Sequence, residues 1–529
     1  MSKTIGIDLG TTNSCAAVAE GYEAKVLPNL QGYRTTPSIL ARNPSGKLIV
    51  GHLAKRQAVT NPLHTVHAVK RLIGRRYESP EVEKARKNCS YKIVRGPNDD
   101  VRVEMGGQVF SPQEVSALIL AEIKRFASEA VGEEVTKAII TVPAYFNDNQ
   151  RQATKDAGRI AGLDVLRVIN EPTAACIAYG LGKSRNAPTE TVVVYDFGGG
   201  TFDVSVIRIQ KSVFEVLATG GDTYLGGEDF DGALVEHLVD YGKQKYKVDL
   251  GANPLALQRL RLAAEDIKKN LSFQPTEQVI LPFLAAGADG KPINFEATVN
   301  RAMLEKLTTT FVDHSIEITQ KTLSSIGLDP KSVDAILLVG GQTRMPLIQQ
   351  KVGDYFGKAP RKGVNPDEVV AMGAAIEAAV LENPNSDVLL LDVTPLDLGI
   401  ATQGDSFTTI IPRNSRVPLK KSHIFTTVQD NQTSVKLQVY QGDNDRASQN
   451  EFLGEFTLTG IRPATRAVPR IEVMFSISSD GMVAVSAKDL DTGTTQKIEV
   501  SSSNQLSDQE ISSLSERTKS TALEWVREA

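Results

Sequence analysis

Two short segments of the chain combine aspartate, glycine and threonine in the same order, each directly after an apolar strand. The first segment is IGIDLGTTNS and the second is VVVYDFGGGTFDVSV. Glycine lets backbone N–H groups approach a phosphate closely, threonine adds a hydroxyl donor, and aspartate at a strand end can hold a hydrated divalent cation. A single Asp-Gly turn also closes ordinary hairpins. The two segments together predict a duplicated domain pair that holds a triphosphate from both sides.

The composition of the 529-residue chain is that of a protein with several ordinary domains. About three or four domains of ~150 residues are expected at this length. The net charge of −4 and the pI near 6.0 argue against a dedicated surface for nucleic acid or anionic membranes. No secretory signal or apolar stretch of ~20 residues is visible, and three widely spaced cysteines fit a reducing compartment. We therefore expect a soluble cytoplasmic protein with no nucleic-acid or membrane partner.

The elements that position these segments alternate between strands and helices up to about residue 383. A buried strand is predicted over Ala138–Val142 and is followed by the helical run NDNQRQATKDAGRIAG. A second strand, Ala335–Val339, leads through Gly340 and Gly341 into another helix. This order of strand, glycine turn and helix predicts an α/β domain over residues 1–383, with ligands at the carboxyl ends of the strands.

The pattern changes after Pro384. Residues 384–393 form a predicted interdomain linker, which contains four consecutive large apolar residues followed by an acid: Val388, Leu389, Leu390, Leu391 and Asp392. Residues 394–502 alternate apolar and polar side chains, with a hairpin turn at Asp480-Gly481, and predict an antiparallel all-β domain.

The final segment, residues 503–529, is predicted to be helical. Ser507 and Glu510 have the spacing of a capping box. A loose apolar stripe follows, with no partner helix after it: Ile511, Leu514, Thr518, Trp525 and Val526. We expect this stripe to pack on the sheet or to face water.

Several long motifs resemble the DnaK-type chaperones of the seventy-kilodalton heat-shock family. The motifs include IGIDLGTTNS, AVKRLIGRR, ITVPAYFNDNQRQATKDAGRIAGL, INEPTAA, DFGGGTFDVS, LGGEDFD, VGGQTRMP, NPDEVVAMGAA and DVLLLDVTPL. The resemblance covers residues 1 to about 515. It implies a duplicated, ribonuclease-H-like, actin-like ATPase domain, then a β-sandwich that binds extended client peptides and a helical lid. It also implies that ATP opens the peptide site, that hydrolysis stimulated by a J-domain partner closes it, and that a nucleotide-exchange factor resets the cycle.

The resemblance assigns roles around the phosphates of ATP or ADP. Asp8 and Asp196 would hold Mg²⁺, largely through its waters, and K⁺ binding is also implied. The loops around the phosphates would be formed by Gly10, Thr11, Thr12, Asn13, Gly199, Gly200 and Thr201. The residues implied in hydrolysis are Lys70, Glu171, Thr201 and Asp203. From the residues alone, the aspartates could also be solvated strand ends, and Lys70 could belong to a solvated basic patch with Arg71, Arg75 and Arg76.

The resemblance also implies a pocket for the nucleoside. Glu265, Lys268 and Ser272 share one face of a helix, so they could line that pocket. An ordinary ion pair between Glu265 and Lys268 is the alternative. The opposite wall of the pocket would be formed by Gly341, Gln342, Thr343, Arg344 and Asp367.

The linker and the β domain carry further implied roles. The apolar linker residues form either a buried strand or a segment that docks in one nucleotide state and is released in the other. Arg167 matches a position that receives J-domains, although by itself it is an exposed arginine. The peptide channel would be lined by Ile400, Thr402, Gln403, Phe425, Val428, Val435 and Leu437. Packing of one strand face into the core would explain most of the apolar members equally well.

Two departures from the family pattern affect these expectations. Gln403 stands where the family commonly has methionine and Val428 where it has alanine, at the arch over the bound peptide. Glutamine brings an amide that needs partners, so the peptide preference and release rate are open. The lid ends after its first helix, which favours fast peptide exchange. One alternative to an ordinary chaperone of this family is a short-lid holder or specialised paralogue. Two further alternatives are a sugar or acetate kinase and a peptide-binding module with a vestigial nucleotide site.

Overall fold

The computed structural model describes residues 3–181, 188–287, 290–499 and 506–521. Within these ranges no helix has both the length and the apolar character needed to cross a membrane. The expected change of character after Pro384 is visible, because long helices and mixed sheets precede it, whereas the strands between residues 398 and 499 are all antiparallel to their neighbours.

The described residues before the linker alternate between strands and helices. In residues 3–181 the elements are β1 (Thr4–Asp8), β2 (Asn13–Glu20), β3 (Glu23–Val26), β4 (Thr36–Pro37), β5 (Leu40–Arg42), β6 (Leu48–Val50), α1 (His52–Gln57), β7 (Thr65–Val66), α2 (Pro80–Asn88), β8 (Lys92–Arg95), β9 (Val101–Met105), β10 (Gln108–Phe110), α3 (Pro112–Val131), β11 (Lys137–Val142), α4 (Asp148–Ile160), β12 (Asp164–Asn170) and α5 (Glu171–Gly180). In residues 188–383 they are β13 (Glu190–Phe197), β14 (Phe202–Gln210), β15 (Val213–Asp222), α6 (Gly227–Tyr246), α7 (Pro254–Leu271), β16 (Thr276–Ala286), β17 (Pro292–Asn300), α8 (Arg301–Ser324), β18 (Ala335–Val339), α9 (Pro346–Phe356) and α10 (Val369–Glu382).

The elements after residue 383 are mostly strands. They are β19 (Leu389–Val393), β20 (Leu398–Thr402), β21 (Ser406–Ile411), β22 (Arg416–Val417), β23 (Leu419–Phe425), β24 (Ser434–Gln441), β25 (Glu451–Thr459), β26 (Ile471–Ile477), β27 (Val483–Asp489), β28 (Thr495–Glu499) and α11 (Asp508–Ser520). The predicted strands at Ala138–Val142 and Ala335–Val339 are confirmed, the first being one residue longer at its start.

Two six-stranded sheets carry the repeated segments and share one local topology. In the first sheet, with strand order β12-β11-β1-β2-β3 and β4 beside β2, β1 is parallel to β11 and antiparallel to β2. In the second sheet, with order β18-β13-β14-β15-β19-β22, β13 is parallel to β18 and antiparallel to β14. Each repeated segment therefore follows a strand that lies between a parallel and an antiparallel neighbour, as a duplicated unit requires.

Helix α10 packs closely because its sequence is rich in glycine and alanine. A β-carbon on Gly373 would lie 1.7 Å from the carbonyl oxygen of Ala174 in α5, and one on Gly6 of β1 would lie 2.1 Å from the backbone nitrogen of Ala375. No side chain fits at either position. These contacts bring α10 onto β1 and α5, directly beneath the first repeated segment.

The strands from β20 onward form two four-stranded antiparallel sheets around one core. One sheet has the order β21-β20-β24-β25 and the other β23-β26-β27-β28. Buried side chains from both sheets, such as Leu453 and Phe475, belong to the same hydrophobic cluster. The predicted hairpin is confirmed, since β26 pairs with β27 and Gly481 in its turn has a φ of 77°.

The C-terminal helix does not lie where its apolar stripe was expected to lie. Helix α11 begins with the predicted capping box of Ser507 and Glu510. Ile511 is buried against Ala117 of α3 and Ile160 of α4, so the stripe packs on two helices of the first half and not on a sheet. The expectation failed because a stripe identifies a buried face without identifying its partner. Trp525 and Val526 lie outside the described residues.

Candidate functional site

Four carboxylate side chains meet at the strand ends of the two six-stranded sheets. Asp8 ends β1, and Asp196 in β13 lies opposite Asp203 in β14. Glu171 is the first residue of α5, directly after β12, where Pro172 supplies a favoured first-turn residue. All except the partly buried Asp8 are buried. The chain thus concentrates four acids in a small volume, which is costly unless a cation balances them.

Lys70 provides one balancing charge within this cluster. It lies in a short 3₁₀ turn, Val69–Arg71, and its Nζ is 2.6 Å from Oε1 of Glu171. The two side chains are only 8% and 10% exposed. Arg71 and Arg75 are each 8% exposed as well. The alternative of a solvated basic patch is therefore wrong for these three residues, because their charged ends point into the protein.

One lysine does not neutralise four acids, and the pKa values reflect this. Burial, followed by the nearby Glu171 charge, raises the pKa of Asp8 to about 7 and that of Asp203 to about 8. The same two causes raise the pKa of Asp196 well above its usual value. Hydrogen bonds oppose the change only in part: the backbone N–H of Tyr145 donates to Asp203 Oδ1 at 2.9 Å. The cluster therefore gains from any added positive charge.

The arrangement of these acids suits a hydrated cation better than a directly ligated one. Among the residues that the structure describes, no three His, Cys, Asp or Glu side chains are grouped as direct metal ligands. Magnesium loses its waters reluctantly and commonly keeps several of them. The partly buried Asp8 and the buried Asp196 both have raised pKa values and lie beside the two glycine- and threonine-containing loops, so their carboxylates could accept hydrogen bonds from such waters. The residues present thus fit Mg²⁺ held through water and phosphate oxygens.

The two glycine- and threonine-rich loops face each other across the site. A β-carbon on Gly199 would lie 2.0 Å from Oγ1 of Thr12, and one on Gly200 would lie 2.4 Å from Oγ1 of Thr11. Gly10 is equally constrained, because a β-carbon there would meet the carbonyl oxygen of Asn13 at 2.1 Å. Asn13, which begins β2, is itself exposed. The loops come from separate sheets, so their approach creates a cradle of backbone N–H groups and hydroxyls suited to phosphate.

Helix α7 forms one side of a cleft next to these loops. Glu265 and Lys268 do not pair with each other, so the alternative of an i,i+3 ion pair is wrong. Glu265 pairs with Lys55 of α1 at 2.7 Å and with Lys269 at 2.5 Å. Burial acts to raise its pKa, but these two ammonium groups outweigh burial and lower the pKa to about 2. Lys55 lies 210 residues earlier in the chain, so this ion pair crosses the cleft.

Lys268 and Ser272 lie further along the same helix. Lys268 Nζ donates to the carbonyl oxygen of Gly227 and to Asp231, each at 2.9 Å. Ser272, at the end of α7, donates its hydroxyl to the carbonyl oxygen of Lys268 at 3.3 Å. The helix thus turns its polar face toward the start of α6.

The 3₁₀ turn Gly341–Arg344 approaches the same point from the other side. A β-carbon on Gly227 would lie 2.9 Å from Gln342 Oε1 and 2.9 Å from Lys268 Nζ. The two predicted walls therefore meet at the start of α6. Arg344 Nη2 is 2.6 Å from Asp367 Oδ2 at the exposed rim, while Thr343 is buried and donates its hydroxyl to the carbonyl oxygen of Gly340.

A cavity of about 720 Å³ runs from Thr11 and Thr12 to Glu265 and includes Lys55 and Arg71 in its lining. Arg71 Nε donates to the carbonyl oxygen of Gly200 at 3.1 Å, and its guanidinium pairs with Asp229. Sequence reasoning missed the roles of Lys55, Arg71 and Asp229 in joining the two sides. The only indication in the sequence was that Arg71 lies next to Lys70. The residues that Lys55, Arg71 and Asp229 contact are far from them in the sequence, so local patterns do not reveal these contacts.

The linker forms a strand at the edge of the second sheet. β19 is parallel to β15, with Leu389, Leu390 and Leu391 opposite Val213, Phe214 and Glu215, and β22 pairs along its far end. Val388 and Leu390 pack on a hydrophobic cluster, whereas Leu389 is 49% exposed. The buried Asp392 accepts a hydrogen bond from Asn170 Nδ2 at 2.9 Å. The segment is thus held both by the sheet and by a polar contact with β12.

Arg167 of β12 is not a simple exposed arginine. Its side chain is 12% exposed and donates to Glu377 Oε1 at 2.5 Å. It also donates to the carbonyl oxygen of Ser479 at 3.3 Å and lies 3.8 Å from Asp480. Both of those residues belong to the turn between β26 and β27. Arg167 therefore joins the α/β half of the protein to the all-β half.

The apolar residues assigned to the peptide channel differ in burial. Ile400 and Leu437 are buried in the core that the two four-stranded sheets share, and Phe425 and Val435 pack on that core while remaining partly exposed. The first two therefore contribute to packing as the alternative anticipated. The other two retain surface that a ligand could contact.

The remaining channel residues lie near the surface. Thr402 donates its hydroxyl to the carbonyl oxygen of Ser406 at 3.2 Å. Gln403 is exposed at the start of a short 3₁₀ turn, and Val428 is 61% exposed. The backbone N–H of Val428 donates to Gln432 Oε1 at 3.1 Å, which fixes that loop. Neither Gln403 nor Val428 contributes to the core.

Comparison with known protein families gives one match that spans nearly the whole chain. A model of the family described as Hsp70 protein matches residues 4–527. The matched range includes both six-stranded sheets, the linker strand and both four-stranded sheets. It is far longer than the two phosphate-type loops alone, so a shared local motif does not account for it. The chain therefore belongs to the Hsp70 family.

Proposed function

We propose that this chain is an ATP-dependent molecular chaperone that binds extended apolar segments of unfolded proteins, with an affinity controlled by ATP binding and hydrolysis. Membership of the Hsp70 family supports a chaperone function, an ATPase activity, nucleotide binding with Mg²⁺ and unfolded polypeptides as clients. In this proposal residues 1–383 are an actin-like ATPase domain and residues 384–393 couple it to the rest. Residues 394–502 are a β-sandwich that binds peptide, and residues 503–529 are a helical lid.

The observation that carries the proposal is the buried Lys70–Glu171 pair among the carboxylates Asp8, Asp196 and Asp203. This group contains one lysine and several buried acids where two loops meet. Such an excess of negative charge does not stabilise the folded chain. Such a cluster is destabilising without a ligand, because buried unpaired charge is costly. It suits the binding and hydrolysis of a magnesium-bound triphosphate.

The chemistry assigned to the site is transfer of the γ-phosphoryl group to water. Asp8 and Asp196 would hold Mg²⁺ through its waters, and the ion would supply positive charge that offsets the negative charge of the phosphate oxygens. Lys70 offsets charge on the transferring group, and its 2.6 Å contact orients Glu171, which in turn orients the attacking water or accepts its proton. Thr201 and Asp203 complete the polar surroundings of that water. We also propose that K⁺ binds near the attacking water, among the same polar residues.

The nucleotide contacts follow from the facing loops and the two walls of the cleft. The phosphates contact Gly10, Thr11, Thr12, Asn13, Gly199, Gly200 and Thr201. The nucleoside contacts Glu265, Lys268, Ser272, Gly341, Gln342, Thr343, Arg344 and Asp367. The meeting of both walls at Gly227 supports this assignment, because one ligand could contact both at once.

Control of the peptide site is assigned to the linker strand. β19 adds to the second sheet, which also carries Asp196 and Asp203. A change in the relative position of the two sheets would alter the edge to which β19 is bound. The linker residues Val388 to Asp392 are therefore proposed to dock with ATP bound and to be released after hydrolysis.

The peptide site is assigned to a surface to which both four-stranded sheets and their loops contribute, since Val435 lies in β24 and Phe425 ends β23. Phe425 and Val435 offer partly exposed apolar surface, and Gln403 and Val428 lie on exposed loops that could close over a bound chain. Ile400 and Leu437 support that surface from the core, and Thr402, on the same strand as Ile400, lies near the surface. An extended client segment would use main-chain hydrogen bonds for affinity and a side-chain pocket for specificity.

The proposed partners are a J-domain co-chaperone, a nucleotide-exchange factor and client polypeptides, in the cytoplasm. Arg167 is the proposed J-domain contact. It joins both halves of the protein through Glu377 and Ser479, so a partner that competes for Arg167 would loosen that junction. This arrangement supports a link between J-domain binding and release of the linker.

The test of this function compares peptide release with ATP and with ADP. A fluorescent leucine-rich peptide is bound to the protein, and its off-rate is followed after adding each nucleotide with Mg²⁺ and K⁺. ATP should accelerate release, and the peptide together with a J-domain protein should stimulate phosphate production. Equal off-rates with both nucleotides would contradict the proposal. Turnover that responds to a sugar or to acetate, and not to peptide, would indicate a kinase.

A further inference from the structure

Arg71 follows β7 in the chain, but its side chain contacts the second phosphate-type loop, Gly198 to Thr201, and the helix after it. Its Nε donates to the carbonyl oxygen of Gly200 at 3.1 Å, and its guanidinium pairs with Asp229 in the first turn of α6. The guanidinium also lies 4.3 Å from the centre of the Tyr224 ring. The Arg71 side chain is only 8% exposed. Contacts at its edges and on its face therefore fix the plane of the guanidinium.

Asp229 connects Arg71 to the start of α6. Its Oδ2 accepts a hydrogen bond from the backbone N–H of Gly226 at 2.8 Å, while Arg71 pairs with the same carboxylate. The start of α6 packs on the loop, since a β-carbon on Gly226 would lie 2.4 Å from the carbonyl oxygen of Gly199. The backbone N–H of Glu228 donates to that carbonyl oxygen at 2.8 Å. Arg71, Asp229, the start of α6 and the loop thus form one hydrogen-bonded unit.

The contact with Gly200 fixes the peptide group that joins Gly200 to Thr201. This peptide bond is trans, and a trans peptide group is planar with its N–H opposite its carbonyl. Because Arg71 holds the Gly200 carbonyl, the N–H of Thr201 is directed away from Arg71. Thr201 is buried, and the proposed function assigns it to the phosphates and to the surroundings of the attacking water. The position of Thr201 therefore depends on Arg71.

We propose that Arg71 is a positioning residue for ATP hydrolysis, which holds the peptide group between Gly200 and Thr201 in place for the transferred phosphoryl group. This inference rests on the proposed function and deepens it, because that function gives Arg71 and Asp229 no part in the chemistry. A different explanation is that Arg71 acts only by its charge, as a second cation beside Lys70. The two explanations differ in what lysine can replace. Lysine keeps the charge but lacks the planar fork that holds a carbonyl and a carboxylate together.

Single-turnover hydrolysis at saturating ATP separates the two explanations. Arg71→Gln should slow it roughly 10- to 100-fold because Thr201 is misplaced, while the dissociation constant for ATP changes by no more than about fivefold. Arg71→Lys should stay roughly tenfold slow, because an ammonium group cannot replace the guanidinium fork. Asp229→Asn should slow hydrolysis roughly three- to tenfold, since asparagine can still accept from Gly226 but loses the ion pair. The double variant should be no slower than Arg71→Gln, because both changes remove one contact.

Hydrogen exchange of the full chain without nucleotide gives a second readout. In the loop, the backbone N–H of Gly198 donates to the carbonyl oxygen of Thr201 at 3.0 Å. The backbone N–H of Gly227 in α6 donates to the carbonyl oxygen of Gly198, also at 3.0 Å. Arg71→Gln should speed the exchange of these two amides roughly fivefold or more, because the loop then opens with fewer contacts to break.

Arg261→Gln is the matched control. Arg261 of α7 donates to Ser90 Oγ at 3.1 Å, so it also joins two segments that are distant in the chain. That hydrogen bond does not involve the loop. Both the hydrolysis rate and the exchange of the loop amides should therefore change less than about twofold.

Three outcomes would overturn the proposal. They are a normal single-turnover rate in Arg71→Gln, full recovery of that rate in Arg71→Lys, and unchanged exchange of the loop amides in Arg71→Gln. An unmodified chain that does not hydrolyse ATP would instead refute the proposed function on which this inference rests. The exchange comparison needs no nucleotide, so it shows independently whether Arg71 holds the loop.

Discussion

The linker strand offers the most direct perturbation of coupling, through Leu390→Asp. Leu390 is partly buried and lies opposite Phe214, which is fully buried. Losing half of the apolar burial of a leucine costs about 1 kcal/mol. Burying part of a carboxylate without a partner adds about 2 kcal/mol. The total of about 3 kcal/mol would shift the balance between docked and released linker about 100-fold toward release.

The assay is the off-rate of a fluorescent leucine-rich peptide with ATP and with ADP. The unmodified chain should release peptide faster with ATP, whereas Leu390→Asp should show nearly equal rates and keep its basal ATPase activity. Leu389→Asp is the matched control. It places the same charge on a neighbour that is 49% exposed, so most of the ATP effect should remain. If ATP still accelerates release in Leu390→Asp as in the unmodified chain, the linker is not the coupling element.

Four further predictions concern the nucleotide and peptide sites. Lys70→Ala should still bind ATP but slow single-turnover hydrolysis about 10²- to 10³-fold, and normal single-turnover rates would remove Lys70 from the mechanism. Thr201→Val should slow steady-state turnover about tenfold, and unaltered kinetics would exclude a role for its hydroxyl. The pKa of Asp203 is raised by burial from 3.8 to about 8, so the folded protein binds more protons than the unfolded chain between those values. Thermal stability without nucleotide should therefore fall as the pH rises from about 4 to about 8 and level off above that, with a shallower fall in Asp203→Asn. If thermal stability depends on pH equally in Asp203→Asn and in the unmodified chain, Asp203 does not cause the fall. Finally, joint replacement of Gln403 by Met and Val428 by Ala should slow peptide release with ADP, because a flexible apolar side chain packs without an amide that needs partners. An unchanged off-rate would show that these loops do not contact the peptide.

Local patterns in the sequence predicted the elements of this fold well. The repeated Asp-Gly-Thr segments do follow equivalent strands in two sheets, and the switch to alternating apolar residues does mark antiparallel strands. The capping box at Ser507 is present as well. Each of these features depends on neighbours within a few residues, so a short stretch of sequence is enough to predict it.

Partners that are distant in sequence could not be predicted in this way. The spacing of Glu265 and Lys268 suggested an ion pair, yet Glu265 binds Lys55 from α1 and Lys268 binds Asp231. The stripe on α11 indicated a buried face, but only the tertiary structure identifies α3 and α4 as its partners. Arg167 gave no local sign of burial. In all three cases the competing partners are separated by tens to hundreds of residues.

Asn170 and Glu171 place a contact with the linker one residue away from the glutamate that is proposed to act in hydrolysis. Glu171 contacts Lys70, and the preceding residue, Asn170, donates to the linker carboxylate of Asp392 at 2.9 Å. Asn170 also accepts from Arg151 at 2.7 Å, so its amide is held from two sides. A shift of Glu171 during ATP hydrolysis would therefore move Asn170 with it, because the two residues share a peptide bond. Under the proposed function, this contact would link the nucleotide site to the linker directly.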